Sequence, residues 1–282
     1  SFELAIAPDT NISRSTSSDT LGTVLGDFAI DEDSKAKSGV GLAVRGQAFR
    51  RVELGTDTRL LLRLGGSADF YGKPRFNDLS LDFAAGPELH VGRNRVGVEL
   101  GAAQRWIGQK PYMRSLRIAA ALTRPLGRRS QLRAAASASL ADNRLNDLQD
   151  GKSVSAAVGV ERALSATTGL ALNLSADRLS ARDPAYSTTG WRAGAFAWRD
   201  AGRATLTLGA EYGRLRADER LALLPEARSD RLTRFTLGAT FRQFTVGGFA
   251  PVTRIVIERN ASSVEFYDFR RTRTEFGLVR AF

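Results

Sequence analysis

Alternation of apolar with polar or small side chains recurs along this chain and limits it to β structure. In 170–177, Leu170, Leu172 and Leu174 occupy every second position, and polar or small residues stand between them. A two-residue period is that of a strand with one apolar face, whereas an amphipathic helix repeats every 3.6 residues. The sequence therefore predicts an all-β fold. The same period recurs in 96–103, 154–161, 205–212 and 234–241.

Membrane-spanning helices are excluded by the length of the apolar runs. The longest unbroken run of apolar side chains, Ile118–Leu122, has five residues. A spanning helix needs about 20. If this chain crosses a membrane, it must cross with strands.

Turn residues divide the chain into hairpins. Short breaks centre near residues 53, 93, 126, 165, 201 and 244, so their spacing is about 33 to 43 residues. This interval fits two strands and one longer loop, the repeating unit of an outer-membrane barrel. The longer loops are expected near 9–36, 71–77, 108–113, 142–151, 182–188, 216–230 and 260–265, where glycine, proline and charge concentrate.

Fourteen strands follow from these breaks. An even number places both chain ends on the side of the short turns, which in a bacterial outer membrane is the periplasm. We expect a single domain over residues 1–282, an up-and-down barrel of about fourteen strands. The expected strands are 1–8, 37–50, 58–70, 78–91, 96–107, 114–124, 130–141, 152–163, 169–181, 189–199, 203–215, 231–243, 246–259 and 266–282.

The two faces of these strands favour a barrel in lipid over a soluble β-sandwich, the main alternative. One face carries leucine, valine, alanine and aromatic residues, and the other mixes small residues with arginine and carboxylates. A barrel in lipid turns its apolar residues outward and lines its lumen with polar ones. Leu172 and Leu208 should therefore face lipid. Aromatic residues near strand ends fit either interfacial girdles or a core: Phe70, Tyr71, Trp106, Tyr112, Trp191 and Trp198.

Positive charge is distributed along the chain rather than clustered. There are 41 lysines and arginines against 30 acidic residues, and 36 of the cations are arginines. A nucleic-acid interface would concentrate them on one face or tail. We therefore expect no nucleic-acid partner and a lumen wall in which arginines and carboxylates pair. The candidate lumen-lining residues are Arg45, Arg63, Glu99, Arg105, Glu211, Arg234, Arg273 and Glu275.

Common enzymatic constellations are missing from the sequence. There is no cysteine and one histidine, His90, which stands at a strand end without a visible partner. Gly39–Val44 begins like a dinucleotide-binding motif but lacks its third glycine and its helix. The carboxylates are too dispersed to nominate a glycosidase pair or a metal site. We predict a protein without catalytic residues or cofactors.

The last residues resemble a barrel-assembly signal. Phe276, Leu278 and the terminal Phe282 share the outward face of the final strand, although Arg280 interrupts it. An outward arginine near an interface costs only about 0 to 1 kcal/mol. We expect contact with outer-membrane lipid and with the barrel-assembly machinery during insertion.

Two terminal blocks, Ala7–Thr16 and Gly247–Phe282, resemble the C-terminal barrel of the surface lipoprotein assembly modulator (Slam) family. The resemblance implies a fourteen-stranded barrel, an N-terminal periplasmic tetratricopeptide-repeat region outside this chain, and a role in helping lipoproteins or related secreted proteins reach the cell surface. The client is not identified by the sequence, and we expect a monomer.

A seam between the first and last strands is the candidate client-contact region. Its edges would pair transiently with a client strand. The alternative function is a passive, anion-preferring channel, because the polar face is rich in arginine. The candidate seam residues are Asp9, Asn11, Tyr267, Asp268, Phe269, Arg270 and Arg271. Loop 9–36 is a candidate plug of the lumen.

Overall fold

The computed structural model describes residues 1–280. Fourteen antiparallel strands close into one barrel, and two further strands, β2 (Thr20–Thr23) and β3 (Gly26–Ala29), form a separate hairpin. The barrel strands are β1 (Phe2–Asp9), β4 (Gly39–Glu53), β5 (Thr58–Tyr71), β6 (Asp78–Val91), β7 (Asn94–Ile107), β8 (Lys110–Pro125), β9 (Ser130–Asn143), β10 (Gly151–Ala163), β11 (Thr168–Ala181), β12 (Thr188–Ala201), β13 (Ala204–Ala217), β14 (Ser229–Phe241), β15 (Ala250–Ser262) and β16 (Phe269–Arg280).

Consecutive barrel strands pair with each other, and β1 pairs with both β4 and β16 to close the ring. Phe2 lies opposite Arg280, so the two ends of the described chain lie at the same rim. We call this rim the turn end; it carries the connections 54–57, 92–93, 126–129, 164–167, 202–203 and 242–249. The opposite rim, the loop end, carries 10–38, 72–77, 108–109, 144–150, 182–187, 218–228 and 263–268.

Short 3-10 turns are the remaining regular elements. In the described part of the chain, no helix is long and apolar enough to cross a membrane. The 3-10 turns span Glu32–Ser34, Pro74–Phe76, Asp147–Gln149, Pro184–Tyr186, Arg242–Phe244 and Glu265–Tyr267.

Most large apolar side chains of the barrel strands point away from the barrel axis. Leu172 is 53% exposed and Leu208 is 56% exposed. Within residues 1–280, the buried apolar cluster consists of three alanines of β1 and β4, Ala5, Ala7 and Ala43. A β-sandwich would instead bury its leucines between two sheets. The closed barrel therefore confirms the membrane reading and excludes the sandwich.

Several expected boundaries were wrong. Residues 108–113 are not a loop: β7 and β8 are joined by Gly108 and Gln109 alone, both at positive φ. The strands expected at 246–259 and 266–282 begin later, at Ala250 and Phe269. Loop 9–36 contains the β2–β3 hairpin, which was not expected.

The aromatic residues divide between the two faces. Phe70 and Trp191 face outward and are about two-fifths exposed, and Trp106 shares the outward face with Leu79. Three others point inward: the Tyr71 hydroxyl accepts a hydrogen bond from Arg273, Tyr112 lies against inward-facing Arg105, and Trp198 lies opposite Thr207 on the inner face of β13. An interfacial girdle of all six residues is therefore wrong.

Candidate functional site

The shortest barrel strand lies at the closure of the ring. β1 has eight residues, whereas β4 has 15 and β16 has 12. Paired positions run from Phe2–Arg280 to Ile6–Phe276 and resume only at Asp9–Arg273. Pro8 lies in this gap and has no amide hydrogen to donate. We call the β1–β16 contact the seam.

A glycine allows the two strands of the seam to approach closely. A Cβ atom at Gly277 would lie 2.3 Å from the Leu4 carbonyl oxygen and 2.6 Å from the Ala5 side chain. Any larger residue would therefore push β1 away from β16.

Buried ion pairs line the inner face of the seam. The Arg271 guanidinium donates to both Asp9 carboxylate oxygens, with Nη2–Oδ2 at 2.5 Å and Nε–Oδ1 at 3.1 Å. The Asp9 side chain is fully buried and that of Arg271 is 6% exposed. A pair this buried retains far more of its Coulomb attraction than a surface pair, because water screens it little.

Arg273 connects the seam to β5. Its Nη2 atom donates to Asp69 Oδ1 at 2.6 Å, and its Nη1 atom donates to the Tyr71 hydroxyl at 3.3 Å. Its Nε atom donates to Glu275 Oε1 at 2.9 Å. This one guanidinium therefore ties β16 to a strand on the far side of β1 and β4.

Glu275 extends the network toward the turn end. Its carboxylate accepts from Arg45 Nη2 at 2.8 Å and also from Arg254. Arg254 in turn donates to both oxygens of Glu3 in β1, at 3.0 and 3.1 Å. Five strands around the closure, β1, β4, β5, β15 and β16, are cross-linked by these ion pairs. We call these residues the seam network: Glu3, Asp9, Arg45, Asp69, Arg254, Arg271, Arg273 and Glu275.

The start of the long first loop enters the loop end of the lumen. Asn11 is buried, and its side-chain amide donates to the carbonyl oxygens of Ser15 and Arg270. Arg14 Nε lies 3.4 Å from Glu258, which also accepts from Arg234 at 2.8 Å. Burial lowers the pKa of the Arg14 guanidinium. We call residues 10–16 the inner segment.

A cavity of about 440 Å³ lies beneath the inner segment. Its lining includes Ile12, Ser13 and Arg14, residues of the strands β4 to β7 and β14 to β16, and two residues of loop 72–77. Eight arginines and four carboxylates line it, so its surface is cationic. This cavity can attract anionic groups, and the inner segment narrows the path to it from the loop end.

Other predicted lumen residues also occupy the inner face. Arg63 donates to Glu99 at 2.5 Å, and Arg105 donates to Asp78. Arg234 lies 3.3 Å from Glu211 and joins it to Glu258.

The predicted seam residues separate into two groups. Asp9, Asn11 and Arg271 meet at the seam. Tyr267 and Asp268 lie in the loop before β16, where Tyr267 stacks on Arg228 and Asp268 pairs with Arg259. These two residues therefore contact the loop before β14 and strand β15, on the side of β16 away from β1. Phe269 points inward, whereas the Arg270 side chain points outward and its carbonyl oxygen accepts from Asn11.

The proposed assembly-signal residues lie on the outward face of β16. Phe276 is 57% exposed and Leu278 is 45% exposed. Phe282 lies outside the described residues.

Sequence patterns missed the partners of the network and two inner-face aromatic residues. Glu3, Arg254 and Glu258, which were not predicted, complete the ion pairs. Their alternation with apolar neighbours is the signal that could have placed them on the inner face. Phe49 lies opposite Arg63 on the inner face, and Phe196 stacks on inward Trp198. They interrupt the polar wall and were assigned to no site.

A family model described as surface lipoprotein assembly modifier matches residues 1–282, the whole chain. The chain belongs to this family. The resemblance of the two terminal blocks is thereby confirmed, and the family supports a role in lipoprotein surface assembly. No curated protein matches the sequence.

Solved outer-membrane barrels are similar in fold. A Pseudomonas aeruginosa FadL homologue has a TM-score of 0.54 at 8% identity, over 98% of this chain and 88% of that one. The Vibrio cholerae outer-membrane protein OmpT, with loop L8 deleted, has a TM-score of 0.51 at 8% identity, over 99% and 97%. At this identity the likeness shows the fold alone. The surface lipoprotein assembly modifier chain is an outer-membrane barrel.

Proposed function

We propose that this surface lipoprotein assembly modifier barrel is a translocation factor that helps lipoproteins or related secreted proteins reach the cell surface. Both termini and the turn end face the periplasm in this proposal, and the loop end faces outward. The observation that carries it is the family match over the whole chain. Client binding is non-covalent, and the barrel positions the client without making or breaking a bond.

The seam supplies a route for the client in this proposal. β1 is short and contains Pro8, so fewer backbone hydrogen bonds hold it to β16 than hold longer strand pairs. An open strand edge would pair with an extended client segment through main-chain hydrogen bonds. The seam network holds the resting barrel shut, because separating β1 from β16 would expose the Asp9–Arg271 pair.

Deletion of the gene is the first test. The surface exposure of each lipoprotein encoded by a gene adjacent to this one is measured by protease accessibility in intact cells, with and without the gene for the barrel. Loss of surface exposure for at least one lipoprotein is expected. Unchanged exposure of all of them would contradict the proposed function.

A disulfide across the seam tests the route. The chain has no cysteine, so paired substitutions create a single disulfide. Leu4→Cys with Leu278→Cys would lock β1 to β16, where these residues are directly opposite. Leu208→Cys with Leu237→Cys is the matched control, an outward leucine pair in β13 and β14.

The seam lock should reduce lipoprotein exposure at least tenfold in oxidising medium, and a reductant should restore it. The control lock should have no effect. Export that continues while the seam is locked would exclude this route and leave the assembly role intact.

A passive anion channel is the second candidate, and the arginine excess of the inner cavity favours it. Planar-bilayer conductance separates the two. A steady pore with an anion-selective reversal potential would support the channel. An electrically silent barrel would support translocation, since the inner segment occupies the loop end of the lumen.

A further inference from the structure

A group of arginines points outward at the loop end of four consecutive strands. Arg214 and Arg216 belong to β13, Arg231 to β14, Arg259 to β15 and Arg270 to β16. Strand alternation places them on the same face as the lipid-facing residues Leu208, Phe235, Ile257 and Phe276, each more than half exposed. We call the five arginines the arginine patch.

Like charges are directly opposed within the patch. Arg214 lies opposite Arg231, and Arg259 lies opposite Arg270. Side chains at such positions have Cβ atoms about 4.5–5.5 Å apart, and two like charges there are destabilising. The bare protein therefore stores repulsion at this rim.

The chain supplies the patch with little counter-charge. Arg259 pairs with Asp268, and Arg214 donates to the Tyr212 hydroxyl at 3.0 Å. Within residues 1–280, no carboxylate lies within ion-pair distance of Arg214, Arg216, Arg231 or Arg270. By contrast, Arg178, an outward arginine at the same rim, holds Asp218 in a bidentate pair. Four of the five patch arginines thus lack the carboxylate partner that Arg178 has.

The depth of the patch is that of lipid headgroups. Arg270 and Arg280 share the outward face of β16 and are ten residues apart. At about 3.3 Å per residue and a strand tilt of about 40°, they are separated by about 25 Å along the membrane normal. This separation equals the height of the apolar band of outer-membrane barrels, about 25 Å. The patch therefore lies at the boundary of the band, whichever leaflet the loop end occupies.

We propose that the arginine patch binds the phosphate groups of membrane lipids. A guanidinium matches phosphate geometry with two parallel hydrogen bonds. Two opposed arginines would hold one phosphate between them and convert their repulsion into attraction. Phe235 and Ile257 lie next to the patch toward mid-membrane and would contact the acyl chains, which a free phosphate ion lacks. This proposal does not depend on the proposed function.

Binding of lipid A to the detergent-solubilised barrel tests the proposal. The variant is Arg214→Gln with Arg231→Gln. The matched control is Arg50→Gln with Arg124→Gln, two outward arginines near the turn end that lie opposite Leu62 and Leu132. The two variants lose the same charge, but only the first removes an opposed pair.

The patch variant should bind lipid A at least tenfold more weakly than wild type, whereas the control variant should bind within about twofold. Enzymatically dephosphorylated lipid A should bind wild type as weakly as the patch variant binds lipid A. Equal losses in the two variants would overturn the proposal, as would wild-type binding that is insensitive to dephosphorylation or is abolished by millimolar inorganic phosphate.

Thermal unfolding supplies a second readout that does not depend on measuring affinity. In micelles of dodecyl maltoside, a detergent without phosphate, Arg231→Gln should raise the unfolding temperature, because repulsion by Arg214 is removed. In the same micelles with lipid A added, the substitution should lower the unfolding temperature. A change of the same sign with and without lipid A would overturn the proposal, since a structural role predicts no such reversal.

Discussion

Leu208 and Thr207 are neighbours in β13 that face opposite environments. Leu208 is outward and 56% exposed, whereas Thr207 faces the lumen. Leu208→Arg should cost about 2 to 4 kcal/mol of folding free energy, because an arginine near mid-membrane faces hydrocarbon. Thr207→Arg should cost much less. Refolding titrations into lipid vesicles measure both, and equal penalties would contradict the assignment of faces.

The Asp9–Arg271 pair has a predicted effect on stability. Arg271→Leu leaves the buried Asp9 carboxylate without its main partner and should cost about 3 to 5 kcal/mol. Asp9→Leu with Arg271→Leu should recover much of that loss, because the buried Asp9 charge is removed together with its main partner. Denaturant unfolding in detergent measures the difference, with the exposed-rim change Arg59→Gln as the control. A double variant less stable than Arg271→Leu would contradict the stated cause.

Side-chain direction was predictable at this scale, but side-chain partners were not. Alternation indicated that Arg234, Arg273 and Glu275 belong to one face of their strands. Which carboxylate each arginine reaches depends on the stagger between neighbouring strands, which a single sequence does not specify. Arg273 bonds to Asp69, 204 positions away in the chain, and only the closed ring brings them together.

At the scale of elements, the two-residue connection between β7 and β8 depends on its glycine. Gly108 has φ of 57°, and a Cβ atom there would lie 2.9 Å from the Arg75 carbonyl oxygen. Gly108→Ala should therefore destabilise the barrel by about 1 kcal/mol or more. Gly55→Ala is the control, because a Cβ atom at Gly55 meets nothing within 4 Å among the described atoms. The unfolding temperature of each variant in detergent measures the effect. Equal decreases in the two variants would contradict this explanation.

The long first loop is fastened to the loop between β5 and β6 by a titratable contact. Arg75 donates to both Asp33 oxygens at 2.7 Å and holds the pKa of that carboxyl below its usual value. Because the folded-state pKa is lowered, the contact is present above the usual carboxyl pKa and is lost as the pH falls through the lowered value. The protection of residues 31–37 against hydrogen exchange, measured relative to the intrinsic exchange rate at each pH, should fall below about pH 4.

Arg75→Gln supplies the comparison for this contact. It should accelerate exchange in residues 31–37 already at neutral pH. An exchange profile that is unchanged by Arg75→Gln would show that other contacts hold the loop.

Regular barrel strands were predictable, but the elements between them were not. The hairpin of β2 and β3 has only four residues in each strand, too few for a period to register. Residues 110–113 read as a loop because of Lys110 and Pro111, although Pro111 lies in β8 near an irregularity of strand register. The short turns at Gly92 and Gly202 were visible in the sequence as glycines near polar residues that interrupt the apolar alternation. In the structure both glycines take positive φ.

At the scale of the whole molecule, the orientation in the membrane has a direct test. An epitope inserted after Leu223, in loop 218–228, should be accessible to antibody on intact cells if the loop end faces outward. The same epitope inserted after Gly55, at the turn end, should become accessible only after the outer membrane is permeabilised. Access at Gly55 on intact cells would reverse the proposed orientation.

The pairing of Phe2 with Arg280 also sets the order in which the barrel is completed. Every other pair in the barrel joins two barrel strands that are consecutive in the sequence, but this one closes a loop of about 280 residues. The chain-entropy cost of closure grows as (3/2)RT ln n and reaches about 5 kcal/mol at this length. Pairing that joins such distant segments is slow. We therefore expect ring closure to be the last and slowest event in folding, and a chain that stops before β16 should form an open sheet with two unpaired edges.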